Sequence, residues 1–342
     1  MKTRLRCQLG ISVLFLFAVT LAASAQTYDV TDLGTLPGGD SSVAFGINAH
    51  GDVVGNSTLP GNAYGHAFLY SKGTLTDMGT IGGEWSTAFQ VNASGQATGY
   101  APLADESQRG YLFSNGVMTA LPTLGGGFSD AYAINDLGQI VGASGTSDGD
   151  THPFLFSNGA MTDLGTLGSH GAGFWNTALG INRAGVVVGY SYDATGNFFG
   201  FVWLKGKMIK LGTLGGAWSQ ADAINNRNQV TGAAYTKSGV SHAFLWQQGK
   251  MKDLGTINGF YSWGFAINNA GTVVGQSNFT NGSNATHAFV YSTGPMQDLN
   301  NLIPANSGWV LEVAEGINDN GQISGHGTHN GKQRGFLLTP RK

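Results

Sequence analysis

His326 and His329 stand three residues apart in the stretch 325–331, GHGTHNG, a spacing that zinc uses when further ligands join the pair. No third ligand lies within sequence reach, so no metal is expected there. His66, His152, His242 and His287 also look like a ligand set. Each belongs to a different copy of a repeat, however, and a ring of copies holds them far apart. Each is expected to tie down a neighbouring loop instead. Asp148 and Asp150 suggest calcium, yet the oxygen ligands of a true calcium loop do not follow them. Gly145-Thr146-Ser147-Asp148-Gly149 fits the hydrolase pattern G-x-S-x-G, which works only on a strand-to-helix elbow. Here it falls in a hairpin loop with no helix after it, and a nucleophilic serine is rejected. Asn92-Ala93-Ser94 and Asn281-Gly282-Ser283 would accept glycans only in a eukaryotic secretory host.

Two acids remain. Asp222 and Glu315 occupy a strand position that other copies fill with Phe45, Phe89, Tyr132, Leu179 or Phe265. A carboxyl in such a place needs a partner, such as a nearby arginine or backbone donors, or a raised pKa. Beside a central channel these two acids, with His326, are the candidates for acid–base chemistry or ligand contact. No other catalytic group and no cofactor is expected. Aromatics form the second candidate set: Trp85, Phe128, Trp175, Trp218, Trp263 (or Tyr261) and Trp309 recur in one loop. Indoles on one face could stack on sugar rings. Packing between copies is the more ordinary use of a residue repeated so often.

The elements that must position these residues come from a repeat. Ile47-Asn48, Val91-Asn92, Ile134-Asn135, Ile181-Asn182, Ile224-Asn225, Ile267-Asn268 and Ile317-Asn318 recur every 43 to 50 residues. Three residues after each Asn stands a glycine, except in the fifth copy, where Asn228 takes its place. Only Gly and Asn hold a positive φ at low cost, so this point is a tight turn. Each Asn of the pair is expected to bond the backbone of its own turn. Between such turns run short stretches rich in Val, Ile, Phe, Tyr and Thr, four to a copy, with no helical period. Four strands in about 45 residues is the size of a propeller blade.

The fold expected is therefore all-β: a seven-bladed β-propeller of four-stranded antiparallel blades. The last copy lacks a fourth strand, whereas Thr27 to Gly34 reads as a fourth strand without the other three. The front of the mature chain should close the ring, making 26–342 one domain. The alternating large and small residues of the first strand are expected to wedge each blade into its neighbour.

His66-Ala67-Phe68, His242-Ala243-Phe244, His287-Ala288-Phe289 and Leu211-Gly212-Thr213-Leu214-Gly215-Gly216 together resemble the HAF-family extracellular repeat of bacteria. That resemblance implies an exported bacterial repeat protein and carries no catalytic residues. Arg109, Phe199 and Arg334 replace the histidine in the second, fourth and seventh copies, so it is no obligatory ligand.

Export is also read from residues 1–25, where Lys2, Arg4 and Arg6 precede the apolar run 11–21 and a small-residue cleavage site ends at Ala25. Cleavage would remove Cys7, the one cysteine among 342 residues, and move the formal charge from −3 to −6. A mildly acidic product argues against nucleic acid or anionic lipid as partner. No membrane span is expected in the mature chain, which should be a monomer, extracellular or periplasmic. The function expected is a non-enzymatic binding module for a glycan or protein on its loop face. A hydrolase or lyase at the channel mouth and a purely structural surface protein are the alternatives.

Overall fold

A computed structural model describes residues 26–169, 171, 173–278 and 285–341. The segment 1–25 read as a signal, and the Asn281 sequon, lie outside the described residues. Within them the chain forms seven antiparallel sheets of four strands each. Blades 1 to 6 span 42–77, 87–120, 125–163, 177–210, 215–253 and 262–298. Blade 7 combines three strands of 309–340 with Tyr28–Asp32 as its outermost strand. That strand pairs with the end of the chain in register, Tyr28 opposite Pro340 and Asp32 opposite Phe336. Arg341 reaches Asp29 at 2.6 Å. The ring is closed by the front of the described chain, and no sheet edge is left open at the junction.

The turn between the first and second strands of each blade explains the repeat. Asn48 Oδ1 accepts from the backbone N–H of His50 and of Asp52, both at 2.9 Å. Gly51 sits at φ +85° and Asn228 at φ +59°, the left-handed region expected of them. Four residues further on a glycine stands in every copy, from Gly55 to Gly325, and it has a different cause. A methyl group on Gly55 would collide with the Val43 carbonyl and the Phe68 ring, and at Gly275 with the Trp263 carbonyl and the Phe289 ring. Here it is space, not φ, that excludes any larger residue.

The wedge between blades is not where the alternation of the first strand suggests. Phe68, Tyr111, Phe154, Phe201, Phe244, Phe289 and Phe336, all on third strands, are wholly buried. The large first-strand residues Phe45, Phe89, Tyr132, Leu179 and Phe265 instead wall the central cavity. A register shift interrupts the first strand of every blade, as between Ala44 and Ile47. The extra residue re-aims the side chains around it, which a strict two-residue alternation misses. Blade 6 departs in one way: its outer strand is only Gln297–Asp298, followed by a 3-10 turn, Leu299–Leu302.

Candidate functional site: the central cavity and its aromatic mouth

The first strands meet around a cavity of about 200 Å³. One large side chain per blade faces it: Phe45, Phe89, Tyr132, Leu179, Asp222, Phe265 and Glu315. Further along the axis, the Ile or Val of each turn motif narrows the channel, for example Ile47, Ile134 and Ile224. Beyond it the seven turn asparagines form a closed circle. Asn48 donates its side-chain amide to the Asn92 carbonyl at 3.0 Å, and the relay continues through Asn135, Asn182, Asn225 and Asn268 to Asn318. Asn318 returns the bond to Asn48 at 3.0 Å.

The second amide hydrogen of these asparagines usually finds the side chain four residues on, as Asn92 finds Gln96 at 2.9 Å. In blade 4 that position is Val186, which cannot accept. Asn228 of the next blade accepts instead, at 2.8 Å from Asn182. Asn at 228 thus does two things that glycine could not do together.

Asp222 and Glu315 both line the cavity, as their departure from the repeat suggested. Their surroundings differ from the arginine or backbone partners expected. Asp222 accepts from Gln220 Nε2 at 2.9 Å and from the Trp263 indole at 2.8 Å. Burial pushes its carboxyl up to about 7 despite those two bonds. Glu315 has no hydrogen bond to any described residue; the ring nitrogen His326 Nδ1 lies 3.8 Å away. Burial, then the charge of Asp222, pushes Glu315 up to about 8. His326 is pushed down to about 4 by burial, and its Nδ1 has no hydrogen-bond partner among the described residues. A third buried acid went unread in the sequence: Asp130, bonded by Gln108 at 2.5 Å and raised to about 6 by burial.

His329, by contrast, points away from His326 and binds Asp32 at 2.7 Å. It copies the ties made by His66 to Asp77, His152 to Asp163, His242 to Asp253 and His287 to Asp298, at 2.6 to 3.0 Å. Each such aspartate also accepts from a backbone N–H at the head of the loop between blades, as Asp253 does from Gly255. The histidines hold loops. The departures at Arg109 and Arg334 do the same across blades, donating to the Gly127 and Asp40 carbonyls. Among the described residues no three His, Cys, Asp or Glu side chains gather as a metal site would require. Asp148 caps the hairpin from Thr146, and Asp150 accepts from Gly171.

The loop-face aromatics separate into kinds. Trp309 is buried, stacked on His329 at 4.5 Å. Trp175 is exposed and lies flat on Phe128 at 5.0 Å. The others belong to two strings of touching rings. One runs from exposed Tyr64 through Trp85 and Tyr100 to Phe89 on the cavity wall. The other runs from Phe174 through Tyr192, Phe198, Trp218 and Trp263 to Phe265, crossing three blades.

Comparison with known proteins adds the fold alone. No family model and no curated protein sequence matches this chain. The extracellular domain of BT4673 from B. thetaiotaomicron superposes with a TM-score of 0.51 at 11% identity, over 92% of this chain and 40% of that one. YCF48 bound to D1 peptide gives 0.48 at 11%, over 94% and 97%. A gluconolactonase from Xanthomonas campestris gives 0.43 at 9%, over 92% and 90%. The chain is a seven-bladed propeller. Among the described residues no helix is long and apolar enough to cross a membrane.

Proposed function

We propose that this protein is an exported, non-enzymatic binding module that takes a glycan on its loop face, at the mouth of the central cavity. One observation carries the reading: rings exposed on the loops continue without a break into the cavity wall, from Tyr64 and Trp85 to Phe89. Packing alone would leave the outermost ring covered, yet Tyr64 is 72% exposed. Flat apolar rings flanked by polar loops suit the faces of sugars, and loops of variable length give selectivity. Export rests on the character of residues 1–25 and on the resemblance to an extracellular repeat.

The test is a glycan array on the mature protein with Y64A and W85A. Loss of binding at unchanged Tm supports the reading. Unchanged binding in both variants, or an empty array, overturns it, and retention of a protein ligand would move recognition to the variable loops.

An enzyme is the second reading, because Asp222 and Glu315 line one cavity and His326 stands 3.8 Å from Glu315. Paired acid–base catalysis needs one carboxyl ionised and the other protonated, set apart by environment. With folded values of about 7 and about 8 that split holds only over a narrow span of pH, which ranks the enzyme second. Polysaccharide turnover that vanished in D222A while folding stayed intact would reverse that order.

A further inference from the structure

Among the described residues that line the cavity, no arginine or lysine answers Asp222 and Glu315. Phe265 stands between the two acids in the circle of blades, and Phe45, Phe89 and Tyr132 complete the arc on the far side of Glu315. Phe45 and Phe89 are 5.1 Å apart, Phe89 and Tyr132 5.5 Å, so the arc is a continuous aromatic wall. Glu315 turns its carboxyl to the cavity without a donor, and His326 Nδ1 behind it is also unpartnered. The two acids on this wall, Asp222 and Glu315, therefore both call for positive charge or donated hydrogen. Aromatic rings add attraction for a cation, more strongly where water is excluded.

A bare metal ion fits poorly, because the acids sit two blades apart and no third ligand joins them. A ligand of several atoms spans that gap. We propose that the central cavity is a binding site for a small organic cation, an alkylammonium or methylated ammonium head, seated between Asp222 and Glu315 against Phe45, Phe89 and Phe265. The site adjoins the loop-face aromatics through Phe89, Trp263 and Phe265, but its charge-selective test reads separately from glycan recognition.

Proton exchange accompanies binding. Glu315 faces Asp222 from blade 5, His326 from the second strand of its own blade and Tyr132 from blade 3; Asp222 faces Gln220, Trp263 and Tyr190. None of these is a cation at neutral pH, so the incoming ligand supplies the first one and displaces protons from the acids.

Calorimetry on the mature protein tests this with choline and its neutral isostere 3,3-dimethylbutan-1-ol. Choline is expected to bind at least about tenfold more tightly than the alcohol. Its affinity should rise between pH 6 and 9, with a heat that depends on the buffer's ionisation enthalpy. The isosteric double variant D222N/E315Q should stay folded, with a Tm at or above that of the wild type, and lose that preference, and F265L should weaken choline while leaving the alcohol unchanged. Equal affinity for the two probes, unchanged choline binding in D222N/E315Q, or no heat from choline, tetramethylammonium or butylammonium would overturn the assignment.

Discussion

At Asp222 and Glu315, the cost of burying a carboxyl becomes a dependence on pH. Both folded pKa values, about 7 and about 8, lie above the ordinary range of an unfolded chain. The folded state therefore holds protons that the unfolded state releases, and stability falls as pH rises through those values. Each unit of displacement is worth about 1.4 kcal/mol once ionisation is forced. Tm should drop between about pH 4 and 8 and level off above, and D222N/E315Q should flatten the profile; a wild-type profile that is level from about pH 4 to 8 would contradict the burial described. Asn228 offers a second check. N228G keeps the backbone conformation but strips Asn182 of its acceptor, at a cost of about 1 kcal/mol. V186Q restores an acceptor four residues along, as in the neighbouring blades. It should recover that loss in N228G and do nothing useful alone, a coupling that a double-mutant cycle by denaturant melts would read.

Strands and loops show how far one-dimensional pattern carries. The four-strand unit was legible because turns punctuate it with residues whose φ is restricted. The two acids stood out because they break a column of Phe, Tyr and Leu. What stayed hidden lay across strands. His66 meets Asp77, and His152, His242 and His287 each meet an aspartate eleven residues on. That constant interval was the available sign. Blade 7 shows no such interval, because His329 reaches Asp32 at the other end of the chain. The cavity wall was misread as packing, because alternation says which side chains share a face and not what that face meets. The third strand carries the packing instead. F244A should cost about 3–5 kcal/mol by leaving a cavity, whereas W175A on the exposed loop should change stability by less than about 0.5 kcal/mol. Thermal melts of the pair test this, and equal losses would contradict the assignment of the wedge. H242A, which breaks a half-exposed side-chain hydrogen bond to Asp253, should cost at most about 1 kcal/mol.

The molecule as a whole depends on joining its two ends. Tyr28–Asp32 supplies the outer strand of a blade whose other three strands lie within 309–340, at the opposite end of the described chain. Deleting 26–33 exposes the edge of the last blade and removes the Asp32 anchor of His329. A protein lacking these residues should melt earlier and in more than one step, with its first loss in blade 7 by hydrogen exchange. A single melt at the wild-type temperature would show that the ends are not the clasp. The asparagine circle has a further consequence. Each amide arm spans one turn to the next carbonyl, so the length of that arm sets the girth of the hoop and with it the number of members it admits. A duplicated eighth copy would require a wider hoop bridged by arms of unchanged reach. It should hang outside as a loose flap while the original seven keep their grip on one another.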